Sequence, residues 1–442
     1  MQKYADYTPD QAAWLDELPS HWQCTKIGAL FSERKSKVSD KDYAPLSVAR
    51  IGVVPQLATA VKTDAGDNRK LVCAGDFVIN SRSDRKGSCG VAKLDGSVSL
   101  INIVLTPRNG LSERYVHYLL RSQPFSEEYY RNGRGIVADL WTTRYSEMKS
   151  ILLPVPPREE QDQIVRFLDW KVSSINRLIG VKQKQIAALK EFMQAEIEKQ
   201  LYAYPVEETV RLKQLGTFFK GGGFSRENLV EEEGYPAILY GDIYTQYEYK
   251  TAVINHSIDG AAYSASRKIS KGDIVMAGTG ETKDEIGKSI LYTGDEIVAL
   301  GGDVIVFHPN EGINVEYLLY QLYSQAALKH RYINGKGDII VHIYPTALGN
   351  TIITLPGEAD QNKVVAIINE IIDQVKKAIA VLTDEISVLR EYRVRLVADT
   401  VTGKIDVRGI EIPEYEFVDE DTDADNEDDG EEDTEEQEGA EE

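Results

Sequence analysis

Two long stretches of heptad-spaced apolar residues, set 200 positions apart, constrain this chain more than any other feature. The first, from Pro156, reads PPREEQDQIVRFLDWKVSSINRLIGVKQKQIAALKEFMQAEIEKQL. The second, from Pro356, reads PGEADQNKVVAIINEIIDQVKKAIAVLTDEISVLREYRVRLVADTV. Both open on proline and acidic residues, which suit a helix's first turn and the positive end of its dipole. The apolar seam of the first is Leu168, Val172, Ile175, Ile179, Ile186 and Leu189; that of the second is Ile368, Ile372, Val375, Ile379, Leu382, Ile386 and Leu389. A spacing averaging about 3.5 residues keeps one stripe against a partner helix in a left-handed supercoil. Some forty residues at a rise of ~1.5 Å make each rod roughly 60 Å long. The simplest way to bury two such seams is against each other.

The segments before each rod tell one story twice. PLSVARIGVVP, KLVCAGDFVIN and GVAKLDGSVSLINIVLTP alternate strand-like runs with Gly, Asp and Pro punctuation. PAILYGDIYTQ, ISKGDIVMAGTG and ALGGDVIVFHP follow in the same order, with Gly75-Asp76 answering Gly272-Asp273. ERYVHYLLRSQ and VEYLLYQLYSQ are matching amphipathic helices, and RNGRGIVA matches INGKGDII through Asn132 and Asn334. The expected fold is therefore α+β: two mixed α/β domains separated by an antiparallel two-helix coiled coil, in an internal twofold repeat. The expected boundaries are 1–152 and 205–354 for the domains, 153–204 and 355–410 for the helical segments, and 411–442 for a tail.

Charge must be read by region. The chain's net −21 is concentrated at its end, where 411–442 hold 19 acidic and no basic residues. Removing those 19 from the total of 71 leaves 52 acids against 50 bases, a net −2 for the body. Such a body is compatible with nucleic acid, because binding needs a local basic face and not a basic total. The tail's composition cannot bury enough surface to fold and is expected to be disordered. Cys24, Cys73 and Cys89 are too scattered for a disulfide framework or a CxxC metal site, no apolar run matches a membrane span, and the N-terminus lacks a signal-peptide core. A cytoplasmic protein is expected.

Catalytic signatures are missing from the pattern. Gly287-Lys288-Ser289 looks like the end of a phosphate loop, but Thr282 stands where the motif needs glycine. Gly278-Thr279-Gly280 lacks the third glycine of a dinucleotide fingerprint, and the six histidines form no ligand spacing. No GxSxG elbow and no Asp- or Asn-Pro-Pro-aromatic signature of amino-methyltransferases is present. The reading is of a non-enzyme that binds no cofactor or metal itself.

LPVPPREEQDQIV from Leu153, leading into a long helix and echoed by LPGEADQNKVV from Leu355, resembles the specificity subunits of type I restriction–modification systems. The second copy keeps Gln361, but has Asp360 where the first has Glu160 and lacks the double proline. GDFVINSRSDRKGSCGVAKLDG and GDIVMAGTGETKDEIGKSILYTG are similar to the strand–loop–strand of that family's target-recognition domains, and the resemblance covers about 15–405. It implies two recognition domains reading the halves of a split double-stranded DNA target. The paired helices would serve as a ruler and dock two methyltransferase subunits, with restriction subunits as further partners. S-adenosylmethionine, ATP and Mg2+ would then belong to the partners. The alternative is a coiled-coil scaffold whose globular heads bind other proteins.

The residues suited to DNA sit in loops rich in cations, amides and small residues. In the first domain these are Arg82, Arg85 and Lys86 of SRSDRKGS, then Arg134, Trp141 and Arg144 of NGRGIVADLWTTRY. In the second they are Lys220 and Arg226 of FKGGGFSREN, Thr279, Lys283 and Lys288 of GTGETKDEIGKS, and Lys336 and His342 of NGKGDIIVHIY. Lys182 and Arg393 interrupt the two seams. Either their aliphatic stems cover the stripe, or their heads fix its register.

Overall fold

A computed structural model describes residues 2–9, 12, 14–57, 66–108, 111–135, 141–231 and 234–418. Two helices of 44 residues each, α1 (Arg158–Leu201) and α2 (Glu358–Val401), form over the heptad stretches. Their seam residues turn inward. Leu168, Ile175, Ile179, Ile368, Ile372, Val375 and Ile386 are buried, while Val172, Ile186, Leu189, Ile379, Leu382 and Leu389 are half-buried.

The chain divides into two compact units, Met1–Lys184 with Leu382–Glu442, and Gln185–Val381. The division cuts both helices near their middles instead of at their ends, because half of each helix is packed into each unit. In the first unit Arg393 Nη1 donates to Asn176 Oδ1 at 2.7 Å and Lys182 Nζ meets Glu385 Oε2 at 2.5 Å. One residue number rises as the other falls, so the helices run antiparallel there. In the second unit Ile197 and Leu201 of α1 share one core with Val364, Ile368 and Ile372 of α2.

In the first unit Gln23–Lys26 pairs antiparallel with Leu152–Val155, the strand leading into α1. Its four-stranded sheet runs Cys89–Val91, Phe77–Asn80, Asn102–Pro107, Phe31–Glu33, antiparallel throughout. The second unit repeats that strand order. Glu208–Arg211 pairs with Ile352–Leu355 before α2, and its sheet runs Ser289–Tyr292, Ile274–Ala277, Val304–Pro309, Gly216–Lys220, reading in the same direction. A short fifth strand, Lys250–Thr251, is added in parallel beside Ser289–Tyr292. Apolar residues fill the strands nearest the core on both faces: Phe77, Val78 and Ile79 in one unit and Ile274, Val275 and Met276 in the other are buried.

The turn into each central strand explains the shared Gly-Asp pair. Gly75 adopts φ +90° and Gly272 φ +95°, a region that an L side chain enters only with strain. The aspartate that follows is buried and accepts the amide three residues back, Asp76 from Cys73 at 2.9 Å and Asp273 from Ser270 at 2.9 Å. The glutamine of the helix-entry motif has an equally local role. Gln161 Nε2 donates to the Pro156 carbonyl at 3.0 Å, and Gln361 Nε2 to that of Pro356 at 2.8 Å. Glu160, which the second copy replaces, is buried and accepts from Tyr4 Oη at 2.7 Å and Trp22 Nε1 at 3.1 Å, and lies 2.7 Å from His21 Nε2. It thereby ties the N-terminal segment to α1.

Beyond Gly403 the chain lies along the first half of α1. Gln163 Nε2 donates to the carbonyls of Val407 and Ile410 at 3.0 and 2.8 Å. The expected tail begins at 411, yet 411–418 continue this path. Val418 N donates to Ser173 Oγ at 3.2 Å, its carbonyl accepts from Asn176 Nδ2 at 3.1 Å, and Glu416 pairs with Arg177. The acidic run from 419 lies outside the described residues.

Candidate nucleic-acid interface

In each unit the central strand ends in a loop, and the backbone of a second loop is stitched to it; that loop follows two short helices, Glu113–Arg121 and Gln123–Arg131 in the first unit, Val315–Leu322 and Gln325–Asn334 in the second. In the first unit the loop after Phe77–Asn80 tightens into a short turn at Ser83–Arg85. Asn80 Oδ1 accepts the Arg82 amide at 3.0 Å, which fixes the exit from the strand. Thr142 then bridges both sides, standing antiparallel to Arg82 on one and to Arg134 on the other. The Thr143 amide donates to the Ser81 carbonyl at 2.9 Å, and Ser83 N to the Trp141 carbonyl at 2.9 Å. From beneath, Tyr129 Oη donates to the Thr143 carbonyl at 3.0 Å and Tyr130 Oη to that of Arg85 at 3.1 Å.

The second unit is joined in the same way. His342 bridges Thr279 on one side and Lys336 on the other. The Ile343 amide donates to the Gly278 carbonyl at 2.9 Å, as Thr143 does to Ser81. Thr279 Oγ1 also lies 2.9 Å from His342 Nδ1, a side-chain link across the pair. The equivalences are therefore Arg82 with Thr279, Arg134 with Lys336, and Thr142 with His342.

The sequence candidates of the first domain converge on this site. Arg82, Arg85, Lys86, Arg134, Trp141 and Arg144 all lie on the two joined loops, and Trp141 is 38% exposed, so it is not a core residue. The cations are partly balanced. Arg82 pairs with Asp84 at 3.0 Å and Lys86 with Glu127 at 2.6 Å. The Ser146 hydroxyl, with smaller contributions from the Glu147 backbone amide and the positive charge of Arg134, holds the Glu147 carboxyl below its ordinary range. Such exposed pairs are worth at most ~1 kcal/mol each, so a phosphate or a base edge can displace them.

The second domain divides its candidates. Thr279, Lys336 and His342 come together, and Lys220 joins them from the end of its strand, its Nζ 5.0 Å from the centre of the Tyr344 ring. Lys283 is half-buried in the turn between the two central strands. Arg226 lies apart, in a short turn feeding Leu229–Val230 of the other sheet. Lys288 points inward, donating to the Tyr244 carbonyl at 3.1 Å, and burial lowers its pKa.

Asn80, Ser83 and Tyr344, which no sequence motif marks, also shape these loops. The paired NGxG motifs could have located the second loop's hairpin, but not its partner across the sheet. Residues 136–140 lie outside the described residues. Among the described residues there is no group of three side chains suited to a metal ion, and no helix long and apolar enough to cross a membrane.

Residues 206–386 match the model of the type I restriction modification DNA specificity domain. The fold is similar to that of a chain from a type I R-M system solved for its complex assembly and conformational transition. The two are 14% identical with a TM-score of 0.63, over 88% of this chain and 99% of that one. The HsdS subunit of Thermoanaerobacter tengcongensis aligns at 16% identity and TM-score 0.43, over 88% of this chain and 98% of that one. The type I S subunit of M. genitalium aligns at 17% and 0.36, over 87% and 96%. Among curated proteins none matches the chain.

Proposed function

We propose that each unit reads one half of a split DNA target through its pair of joined loops, a reading that starts from the match of residues 206–386 to the type I restriction modification DNA specificity domain. The observation that carries this reading is the common backbone stitch, which brings Arg82, Arg134 and Thr142 together in one unit and Thr279, Lys336 and His342 together in the other. Stitched loops hold hydrogen-bonding side chains in a set geometry, and that is what recognising base edges demands.

The roles divide by chemistry. Arg134 and Arg144 in the first unit, and Lys220 and Lys336 in the second, suit phosphates or guanine edges as exposed cations on the joined loops. Thr279 and His342 offer short donors and acceptors to a base. Trp141 offers a ring edge or face to a sugar or base. Side chains at equivalent positions differ between the units, so the two half-sites differ. The chain contributes no catalytic group. Methyl transfer from S-adenosylmethionine, and any ATP- and Mg2+-dependent cleavage, belong to partner subunits that this chain positions, with two methyltransferase subunits for the two halves.

The test is adenine methylation mapped across a host genome, with this chain expressed beside its cognate methyltransferase and without it. A split motif appearing only when both are present supports the reading. A motif written by the methyltransferase alone, unchanged by this chain, refutes it and favours the protein-scaffold alternative. Replacing Arg134 by alanine should then weaken methylation of one half-site's variants selectively, and Lys336→Ala that of the other.

A further inference from the structure

The hairpin closed by Lys336 and His342 carries an unusual tip. Ile339 is 88% exposed and Ile340 is 56% exposed, side by side. The turn that carries them is closed at its base. Lys336 and His342 exchange reciprocal backbone hydrogen bonds at 2.9 and 2.8 Å, and Val341 between them and the sheet is buried. Gly337 has φ +114°, and a Cβ there would strike the Ile340 carbonyl oxygen, so the turn keeps one tight shape.

The surroundings say what such a tip can meet. Lys336 and Lys220 stand at its base and complement phosphates. Asp338, however, shares the tip itself and is exposed. A carboxylate is repelled by the phosphate chain but accepted in the major groove, where cytosine and adenine present amino donors. In that groove one base alone offers an apolar group, the C5-methyl of thymine.

We propose that Ile339 and Ile340 read thymine methyl groups in the major groove of the half-site bound by the second unit. This inference rests on the DNA-specificity reading above. The experiment measures binding of the full chain, assembled with its methyltransferase, to duplexes carrying the mapped split motif. In one series, deoxyuridine replaces thymine in one half-site at a time, which removes only the methyl groups.

The parent complex should lose about fourfold in affinity per methyl removed in one half-site, the equivalent of ~0.8 kcal/mol for a buried CH2. The Ile339→Ala, Ile340→Ala double variant should bind thymine and uracil duplexes equally. An unchanged melting curve, expected because both side chains are exposed, keeps the comparison valid. A motif with no thymine in either half-site, or a parent indifferent to uracil in both, overturns the inference while leaving specificity intact. So does a variant that weakens on both duplexes alike, which would mean the side chains wedge between base steps. A parent that cannot tell the motif from a scrambled duplex overturns the specificity reading as well.

Discussion

Arg393 and Lys182 interrupt the two apolar seams, and the structure gives them different surroundings that a pair of substitutions can separate. Arg393 donates at 2.7 Å to the side-chain oxygen of Asn176, which is 6% exposed and donates onward to the Val418 carbonyl. Lys182 meets Glu385, whose side chain is 49% exposed, so water competes for that pair. Arg393→Leu leaves a buried amide oxygen without this donor, a loss of about 1–3 kcal/mol. Leucine at a half-buried seam position returns about 1 kcal/mol. The difference is a destabilisation of about 0–2 kcal/mol, centred near 1 kcal/mol. Lys182→Leu removes an exposed pair worth about 0–1 kcal/mol and gains a similar amount of apolar contact, so it should be nearly neutral.

The assay is unusually clean, because all four tryptophans, Trp14, Trp22, Trp141 and Trp170, fall in the first unit with both substitutions. Guanidinium unfolding followed by tryptophan emission therefore reports that unit, and equal slopes confirm that only stability has changed. A double Asn176→Leu, Arg393→Leu variant should recover part of the loss, since it removes the unsatisfied amide oxygen while taking the Asn176 donor from the Val418 carbonyl. If Arg393→Leu is neutral or stabilising, the arginine merely covers the stripe and the register argument fails. If Lys182→Leu is the more damaging change, burial is the wrong criterion for ranking the two.

Three further outcomes are expected. Asp76 accepts from Arg34 Nε and Nη2 at 2.6 and 2.9 Å, from the Cys73 amide at 2.9 Å and from Thr106 Oγ1 at 2.7 Å. Asp76→Ala should therefore cost about 3–5 kcal/mol in the tryptophan-monitored unfolding, and a loss below 1 kcal/mol would contradict the buried-pair argument. Burial, reinforced by Arg121, Arg114 and Lys93, lowers the His117 pKa to about 3. The unfolded chain protonates this histidine below about pH 6.5 while the folded chain does not, so stability falls as pH drops from ~6.5 towards 3, by ~1.4 kcal/mol per unit. Between pH 7.5 and 5 the parent should lose about 2 kcal/mol more than His117→Asn, and parallel losses would refute the assignment. Finally, truncation after Val418 removes 16 acidic residues but spares the contacts of 411–418 with α1. If the tail competes with DNA for a basic face, the truncated chain binds non-specific DNA more tightly, most clearly at low salt; unchanged affinity would leave it a solubilising segment.

Some of this protein was legible in the order of its residues. Helix α1, helix α2 and their inward seams follow from a 3.5-residue spacing, a local periodicity that any reader of the chain can count. The order of strands and helices in each half follows from matched blocks such as Gly75-Asp76 and Gly272-Asp273, where a left-handed turn requires glycine and the aspartate secures it. Other features depend on which distant segments meet. Lys288 and Lys336 are both lysines in glycine-rich loops, yet one turns inward to the Tyr244 carbonyl and the other stands exposed beside His342. The same holds for the seam, where Arg393 acquires a buried partner and Lys182 a solvated one. Spacing along a chain determines which face a side chain can occupy. Burial and partners depend on what the fold brings against that face, from tens or hundreds of residues away. The sequence by itself therefore determined the rods, the order of elements and the kinds of loop. The tertiary structure alone decided the stitch joining Arg82, Thr142 and Arg134, and its counterpart at Thr279, His342 and Lys336, because hydrogen bonds between remote backbones leave no periodic trace in the residues that form them.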